Sequence, residues 1–433
     1  MEIADLVNFW TSMSSDKLVR MFWFFFFVEV PRYLVLDLVI LAIYHLHRNF
    51  KKDAWDNARN KLWNEQPLVT VLVPGKDEGE NYHKLVRTLE EQTYRNIQLI
   101  IVDDGSEDNS LAIGRRLERQ GKIDLFIRNE VRGGKASAAN TGLRFAKGKF
   151  IVHLDADSSL DFNAIENLLV PFFYDDDIGA VAGNLGVRNT NDSICTSLQT
   201  IEYMATISVG RLVLSYLGLL RIVSGAHGAF RADVIERVGG WDIGPGLDGD
   251  ITVKIRKMGY KIYFEPTALC LTNVPDNFNS LTKQRLRWSK SLIRFRVRKH
   301  GDIFALNRNF SLRNMLSSWE NIFYNLVLNF GWFIYLIDVA INMPKLIVIV
   351  FPVNYIFYTC SNYIQFFASL VLRDHVKDKL RLLMLVPLST LYTGYYIRFV
   401  RTIAYIQEFF YKTSYEDPWN PAKTSFHAKE KGI

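Results

Sequence analysis

The sequence predicts an α/β protein: a doubly wound, mostly parallel sheet in the middle of the chain, accompanied by α-helical transmembrane segments. Three observations carry this. Short apolar runs alternate with helical stretches between residues 64 and 310, the βαβα order of a parallel sheet. Acidic residues close two of those runs, at the strand ends where such sheets bind ligands. Outside this region the apolar residues gather into long blocks. Of the 433 residues 49% are hydrophobic, and the mean hydropathy is +0.02, which places part of the chain in lipid.

Composition narrows the function classes. With 52 Lys and Arg against 45 Asp and Glu, the net charge is +7 and the pI near 9.1. That balance suits nucleic acid, anionic lipid or a phosphorylated substrate, and only the placement of the charges decides among them. A charged fraction of 22% is too ordinary for disorder, and twelve prolines exclude a Pro-rich low-complexity chain. Cys195, Cys270 and Cys360 stand far apart without a CxxC. They exclude a disulfide scaffold, speak against Cys-bound zinc and fit a reducing cytosolic face.

The elements follow in order. After an N-terminal segment, 1–19, a transmembrane helix is expected over 20–47. Met21 to Tyr44 is long enough to cross a roughly 30 Å hydrocarbon core. Glu29, Arg32 and Asp37 interrupt it; Glu29 and Arg32, three apart, could pair on one face, and packing against other helices is the preferred reading over a substrate path. Arg48, Lys51 and Lys52 follow and place the downstream side in the cytosol. A cytosolic domain spans 64–279. Its expected strands are 68–74, 97–105, 123–128, 150–157 and 179–184, with helices over 84–94, 111–121, 135–148 and 164–173. Residues 280–312 read as interfacial amphipathic helices, 320–342 and 345–372 as transmembrane helices. The stretch 380–411 is transmembrane or interfacial, because its apolar part is short and Arg398 and Arg401 follow. A polar tail, 412–433, ends the sequence.

Five motifs carry chemistry. Asp155-Ala156-Asp157 leaves a strand with two carboxylates one residue apart, a pair able to approach Mg²⁺ or Mn²⁺ from one side. Asp103-Asp104-Gly105-Ser106 is ordinary turn chemistry alone, but it sits at a second acidic strand end. Gly133-Gly134-Lys135 opens a helix of small residues, where free backbone N–H groups and a cation suit phosphate; GxxxxGK[ST] is absent, so a P-loop ATPase is excluded. Asp248-Gly249-Asp250 opens another helical pattern. Asp250 is expected to serve as a helix cap, as a general base, or as both. Gln284-Arg285-Leu286-Arg287-Trp288 offers Arg to a diphosphate and Trp to a sugar face, against a background of membrane-surface basic residues Arg294, Arg296, Arg298 and Lys299. Those later charges are assigned to lipid headgroups, and nucleic acid drops out as a partner.

Taken in order, VPGKDE (73–78), VDDGS (102–106), GGKASAAN (133–140), DAD (155–157), SGAHGAFR (224–231), GD (249–250) and QRLRW (284–288) resemble the processive family-2 glycosyltransferases. These include cellulose synthase, hyaluronan synthase, chitin-oligosaccharide synthase and the poly-N-acetylglucosamine synthases. The QxxRW element is the specific part. The resemblance implies a GT-A type domain in the inner membrane with its catalytic domain cytoplasmic, and a UDP-sugar, glucose or N-acetylglucosamine, as donor. By the same resemblance Asp77, Glu78, Asp103, Asp104, Lys135 and Asp155 hold the nucleotide-sugar, Asp155 and Asp157 hold a Mg or Mn cation, and Asp250 is the catalytic base. Gln284, Arg287 and Trp288 then bind acceptor and diphosphate. Its partners would be the growing β-linked polysaccharide, which the protein extrudes, the bilayer, and an accessory membrane or periplasmic subunit.

The chain departs from the family pattern in three places. Lys76-Asp77-Glu78 replaces Tyr-Asn-Glu. Gly249-Asp250 replaces a pair of acids, so the supporting carboxylate is missing or comes from Asp248. Phe426 to Gly432 keeps only the end spacing of the cellulose-synthase gating loop FxVTxKG. The alternatives are a one-sugar transferase to a lipid acceptor and a membrane partner with an inactive transferase domain; DAD and Asp250 speak against the second.

Overall fold

The computed structural model describes residues 11–242, 246–306, 310–372, 376, 378–417 and 420–430. Eight strands form one mixed sheet: β1 (Val69–Gly75), β2 (Ile97–Asp103), β3 (Leu125–Arg128), β4 (Phe150–Leu154), β5 (Ser159–Leu160), β6 (Ile178–Val187), β7 (His227–Arg231) and β8 (Lys261–Thr272), in the order β3-β2-β1-β4-β7-β6-β8-β5. The β3-β2-β1-β4 half is wholly parallel, and β6 pairs parallel with β8. Only β7 and the short β5 run against their neighbours. The mostly parallel sheet expected from the sequence is therefore present.

Its logic is that of a covered sheet. Side chains alternate between faces along a strand: Val69, Val71 and Val73 of β1 enter one core, Leu72 the other. Helices cover both faces, among them Gly79–Glu90, Ser110–Arg119, Lys135–Leu143 and Ala164–Tyr174. All five expected strands and these four helices are found within a few residues of their expected bounds.

Three strands went unforeseen. β7 lies inside the Gly-rich SGAHGAFR run, and β5 is only two residues long. β8 is interrupted at Glu265-Pro266, where its register against β6 shifts between Gly183 and Asn184. A proline cannot donate to the ladder, so it sits at an irregularity and hides a 12-residue strand from pattern reading.

The chain enters this domain from a continuous helical stretch made of Ser15–Trp23, a wider-wound π segment Phe24–Val35 around Pro31, and Leu36–Phe50. Proline removes a helical N–H, and local rewinding at such a point is expected. Glu29 and Arg32 do not pair with each other. Glu29 meets Arg398, and Arg32 lies 3.1 Å from both Asp37 and Glu320. The charges thus serve contacts between helices. Arg48 ties the segment to the sheet, 3.3 Å from buried Glu265 and with its guanidinium 4.0 Å from the centre of the Trp55 ring.

Among the described residues, two helices are long and apolar enough to cross a membrane, Leu312–Asn342 and Pro344–Leu372. They correspond to the expected spans 320–342 and 345–372. A further helical stretch, Lys379–Leu391 continued through Tyr392–Tyr396 and Ile397–Tyr411, packs against both Pro344–Leu372 and the QxxRW helix.

Candidate active site

Because β1, β2 and β4 are parallel, their carboxyl ends meet along one edge, with Gly75 beside Asp103 in register. Asp103 and Asp104 are buried there and spent on the loops themselves. Asp103 accepts the Ser106 N–H at 3.1 Å. Asp104 accepts from Asn129 Nδ2 (3.0 Å) and from the backbone N–H groups of Gly133 (2.9 Å) and Gly134 (2.7 Å). Gly134 has φ +90°, open to glycine without strain. These carboxylates therefore shape the Gly133-Gly134 turn that would face a phosphate. Asp77 stands exposed at the rim with φ +57°, paired to Lys76 and accepting the Glu107 N–H at 2.9 Å. Glu78 lies further in and accepts from Asn81 Nδ2 at 2.6 Å. Burial pushes its carboxyl up to about 7 against that hydrogen bond, and the charges of Asp157 and Asp155 add to the rise.

The metal-type pair follows β4 directly. Lys135, first residue of the Lys135–Leu143 helix, is ion-paired with Asp155. Burial opposes the charge on Lys135, but Asp155 and Asp248 outweigh it and raise its pKa. Asp157 accepts from Thr272 Oγ1 of β8 at 3.2 Å; burial first, then the like charge of Asp155, raises its carboxyl above the usual range. Two carboxylates one residue apart, with the charge of Asp155 bearing on Asp157, have the donor set for a hard divalent cation. Among the described residues no cluster of three or more His, Cys, Asp and Glu supplies a complete protein cage. A cation held here by Asp155 and Asp157 would take its remaining ligands from phosphate and water.

The two carboxylates of Asp248-Gly249-Asp250 go to different places. Asp250 is fully buried, and its Oδ1 accepts from Lys299 Nζ at 2.8 Å and His300 Nε2 at 2.7 Å. Burial alone would raise its pKa; the His300 hydrogen bond and the Lys299 charge overcome that and hold the carboxyl down at about 2. It ties the Leu247–Lys257 helix to the Leu292–Lys299 segment. Asp248 instead shares its surroundings with Lys135, Asp155 and Arg211, which act on its carboxyl together with the Gly225 backbone. A Cβ on Gly225 would come within 2.6 Å of Asp248 Oδ1; that oxygen, like Asp250 Oδ2, has no hydrogen-bond partner among the described residues. Burial raises the pKa of Asp248, with Lys135 opposing. A carboxylate with a free lone pair and a raised pKa has the attributes of a general base. The sequence offered Asp248 only as a supporting group.

Replacing Asp250 by Asn takes one of two carboxylate partners from buried Lys299, which keeps Asp242, and removes the charge facing His300, a change that costs about 1–3 kcal/mol. Detergent-solubilised D250N is expected to melt well below the wild type. Because the folded pKa of Asp250 is depressed, its contribution is full above the unfolded carboxylate range and is lost as pH falls toward about 2.

The QxxRW element lies on the helix Phe278–Ser291, opened by Asn277, whose side chain accepts the Ser280 N–H at 2.9 Å. Its unpredicted member is Arg285. Buried, it donates to Glu202 Oε2 at 2.8 Å, an oxygen that also accepts from Tyr392 at 2.7 Å. The same guanidinium lies 4.5 Å from the centre of the Trp288 ring, which remains 42% exposed. Gln284 Oε1 is buried with no hydrogen-bond partner among the described residues. Arg287 feels Asp417 of the tail, although burial lowers its pKa overall. Burial raises the pKa of the Tyr203 hydroxyl, on which the charges of Arg285, Glu202, Arg211 and Asp157 also act. The tail itself reaches the glycine turn through Thr424, which donates to the Gly133 carbonyl at 3.2 Å. Lys431-Gly432, the end of the spacing compared with a gating loop, lies outside the described residues.

Residues 70–239 match the Glycosyl transferase family 2 domain. Over 224 residues the chain is 31% identical to poly-beta-1,6-N-acetyl-D-glucosamine synthase of Staphylococcus aureus (strain COL) and 32% identical to that of Staphylococcus epidermidis, covering 51% of this chain and 54% of each relative. The chain thus spans about half the length of these curated relatives. A mannosyltransferase from Pyrobaculum calidifontis, solved with GDP-Man and Mn2+, superposes with a TM-score of 0.55 at 20% identity, covering 87% of this chain and 99% of that one; that likeness concerns the fold. Residues 70–239 are thus similar in sequence to the Glycosyl transferase family 2 domain.

Proposed function

We propose that this protein is a membrane-embedded, inverting glycosyltransferase that builds a β-linked polysaccharide from a UDP-sugar and extrudes it. The convergence of Lys135, Asp155 and Asp248 at the carboxyl edge of the parallel sheet carries the reading. N-acetylglucosamine is favoured over glucose as the donor sugar, because both relatives are named for a polymer of it. Asp248 takes the proton of the acceptor hydroxyl, whose oxygen attacks the anomeric carbon as the bond to the diphosphate breaks. A single displacement inverts the centre, so an α-linked donor yields a β linkage. Lys135, at the turn that Asp104 shapes, receives the departing UDP, and Arg287 stands at the acceptor side. A Mg or Mn cation held by Asp155 and Asp157 would supply charge neutralisation on the diphosphate.

Processive extrusion is supported by the QxxRW helix and by the space behind it. A cavity of 340 Å³ lies between the membrane helices, lined by polar groups including Glu29, Arg32, Thr206, Arg221 and Arg398. Glu202, which holds Arg285, also lines it. The basic residues Arg48, Lys51 and Lys52 support a cytoplasmic catalytic domain. Membranes containing the protein, given radiolabelled UDP-N-acetylglucosamine or UDP-glucose with Mg²⁺ or Mn²⁺, are expected to make a long polymer from one of them. A product of one sugar on a lipid would instead establish the non-processive alternative.

A further inference from the structure

Arg211 has no role in the chemistry above, and its surroundings call for one. It lies on the helix Gly210–Tyr216, which continues the Tyr203–Val209 segment. Its Nη1 is buried without a hydrogen-bond partner among the described residues. Leaving such a donor unmet is costly, more so for a charged group. Nearby arginines are held by protein partners, although Arg285 also leaves its Nε without a hydrogen-bond partner among the described residues. Arg256 donates to the carbonyl of Gly218 (2.9 Å), to the carbonyl of Leu220 and to Asn314 Oδ1 (2.8 Å), and Arg285 is paired with Glu202. Two directions define the place of Arg211. On one side its charge acts on Asp248 and on the Tyr203 hydroxyl. On the other, Ala205, Thr206, Gly210 and Leu214, from the same helical stretch, line the cavity between the membrane helices. Arg211 thus lies on the helical stretch that borders that cavity, with its charge reaching Asp248.

We infer that Arg211 positions the acceptor: its guanidinium donates to an oxygen of the terminal acceptor sugar on the membrane side of Asp248, setting the attacking hydroxyl against that carboxylate. The inference rests on reading the protein as a transferase with Asp248 as base. The groups facing Asp248 are Lys135, Asp155, Arg211 and the Gly225 backbone, with the His153 ring across Gly225. Burial and Lys135 hold His153 down at about 4, so it is neutral in the working range. Loss of the Arg211 charge removes a positive neighbour from Asp248 and moves the acid limb of the pH profile to higher pH.

The test uses full-length protein in detergent, with UDP-N-acetylglucosamine as donor and short N-acetylglucosamine oligomers as acceptor. R211M is expected to raise the acceptor KM at least tenfold, to shift the acid limb of kcat/KM upward, and to leave the UDP dissociation constant within twofold. R211K keeps the charge, so its acid limb stays in place while the acceptor KM still rises. Should R211M not fold, the acceptor KM of R211K against its UDP affinity decides. Equal rises for UDP and acceptor, or an acceptor KM unchanged in R211K, overturns the inference. A wild type that transfers sugar to no acceptor overturns the proposed function instead.

Discussion

Replacing Asp248 by Asn is expected to lower turnover by about 10²- to 10⁴-fold, the usual worth of a general base, while UDP still binds. The amide keeps the shape of the side chain and removes its proton-accepting power. Asp248 has an unpartnered oxygen in the pocket formed by Lys135, Asp155 and Gly225, so the loss falls on the chemical step. D250N makes the contrast. It should lose stability through Lys299 and His300, and any protein that remains folded should retain turnover per active molecule. The measurement is sugar transfer normalised to folded, UDP-binding protein for both variants. Full activity in D248N with none in folded D250N would return the role of base to Asp250.

Asp157→Asn is expected to cost about 10²- to 10³-fold in turnover, the scale of losing a main electrostatic contact to the leaving group. It should also abolish the cation dependence of UDP binding. Asp157 carries part of its charge at a cost, since burial and Asp155 both raise its pKa, and a divalent cation relieves that cost. D157N relieves it too and so removes the reason for binding the cation. Asp155→Asn has a second consequence, because it also frees Lys135 from its ion pair. UDP affinity measured across a Mn²⁺ titration separates the two: D157N is expected to be flat, the wild type steep. A wild-type titration curve in D157N would remove Asp157 from the cation site.

The alternation of Val71, Leu72 and Val73 between two cores is a period of two, and that period is written in the sequence. So are the acidic strand ends, because a parallel sheet brings its carboxyl ends to one edge whatever the remaining topology. Asp155, Asp157 and Lys135 were legible on these grounds, as was the helix of Gln284, Arg287 and Trp288. Asp248 against Asp250 was not. Two positions on a helix with 3.6 residues per turn lie about 200° apart, so one carboxylate faces the cleft and the other faces away. Which is which depends on what packs against the helix, here Lys299 and His300 some fifty residues downstream. Arg285 with Glu202 and Tyr392, and Glu29 with Arg398, likewise join residues far apart in the chain. Local periodicity by itself determined five of the eight strands, the apolar helices and the carboxylates at the strand ends. The tertiary structure alone decided the face of each polar side chain, because a buried charge settles where its partner lies, and that partner comes from a distant part of the sequence.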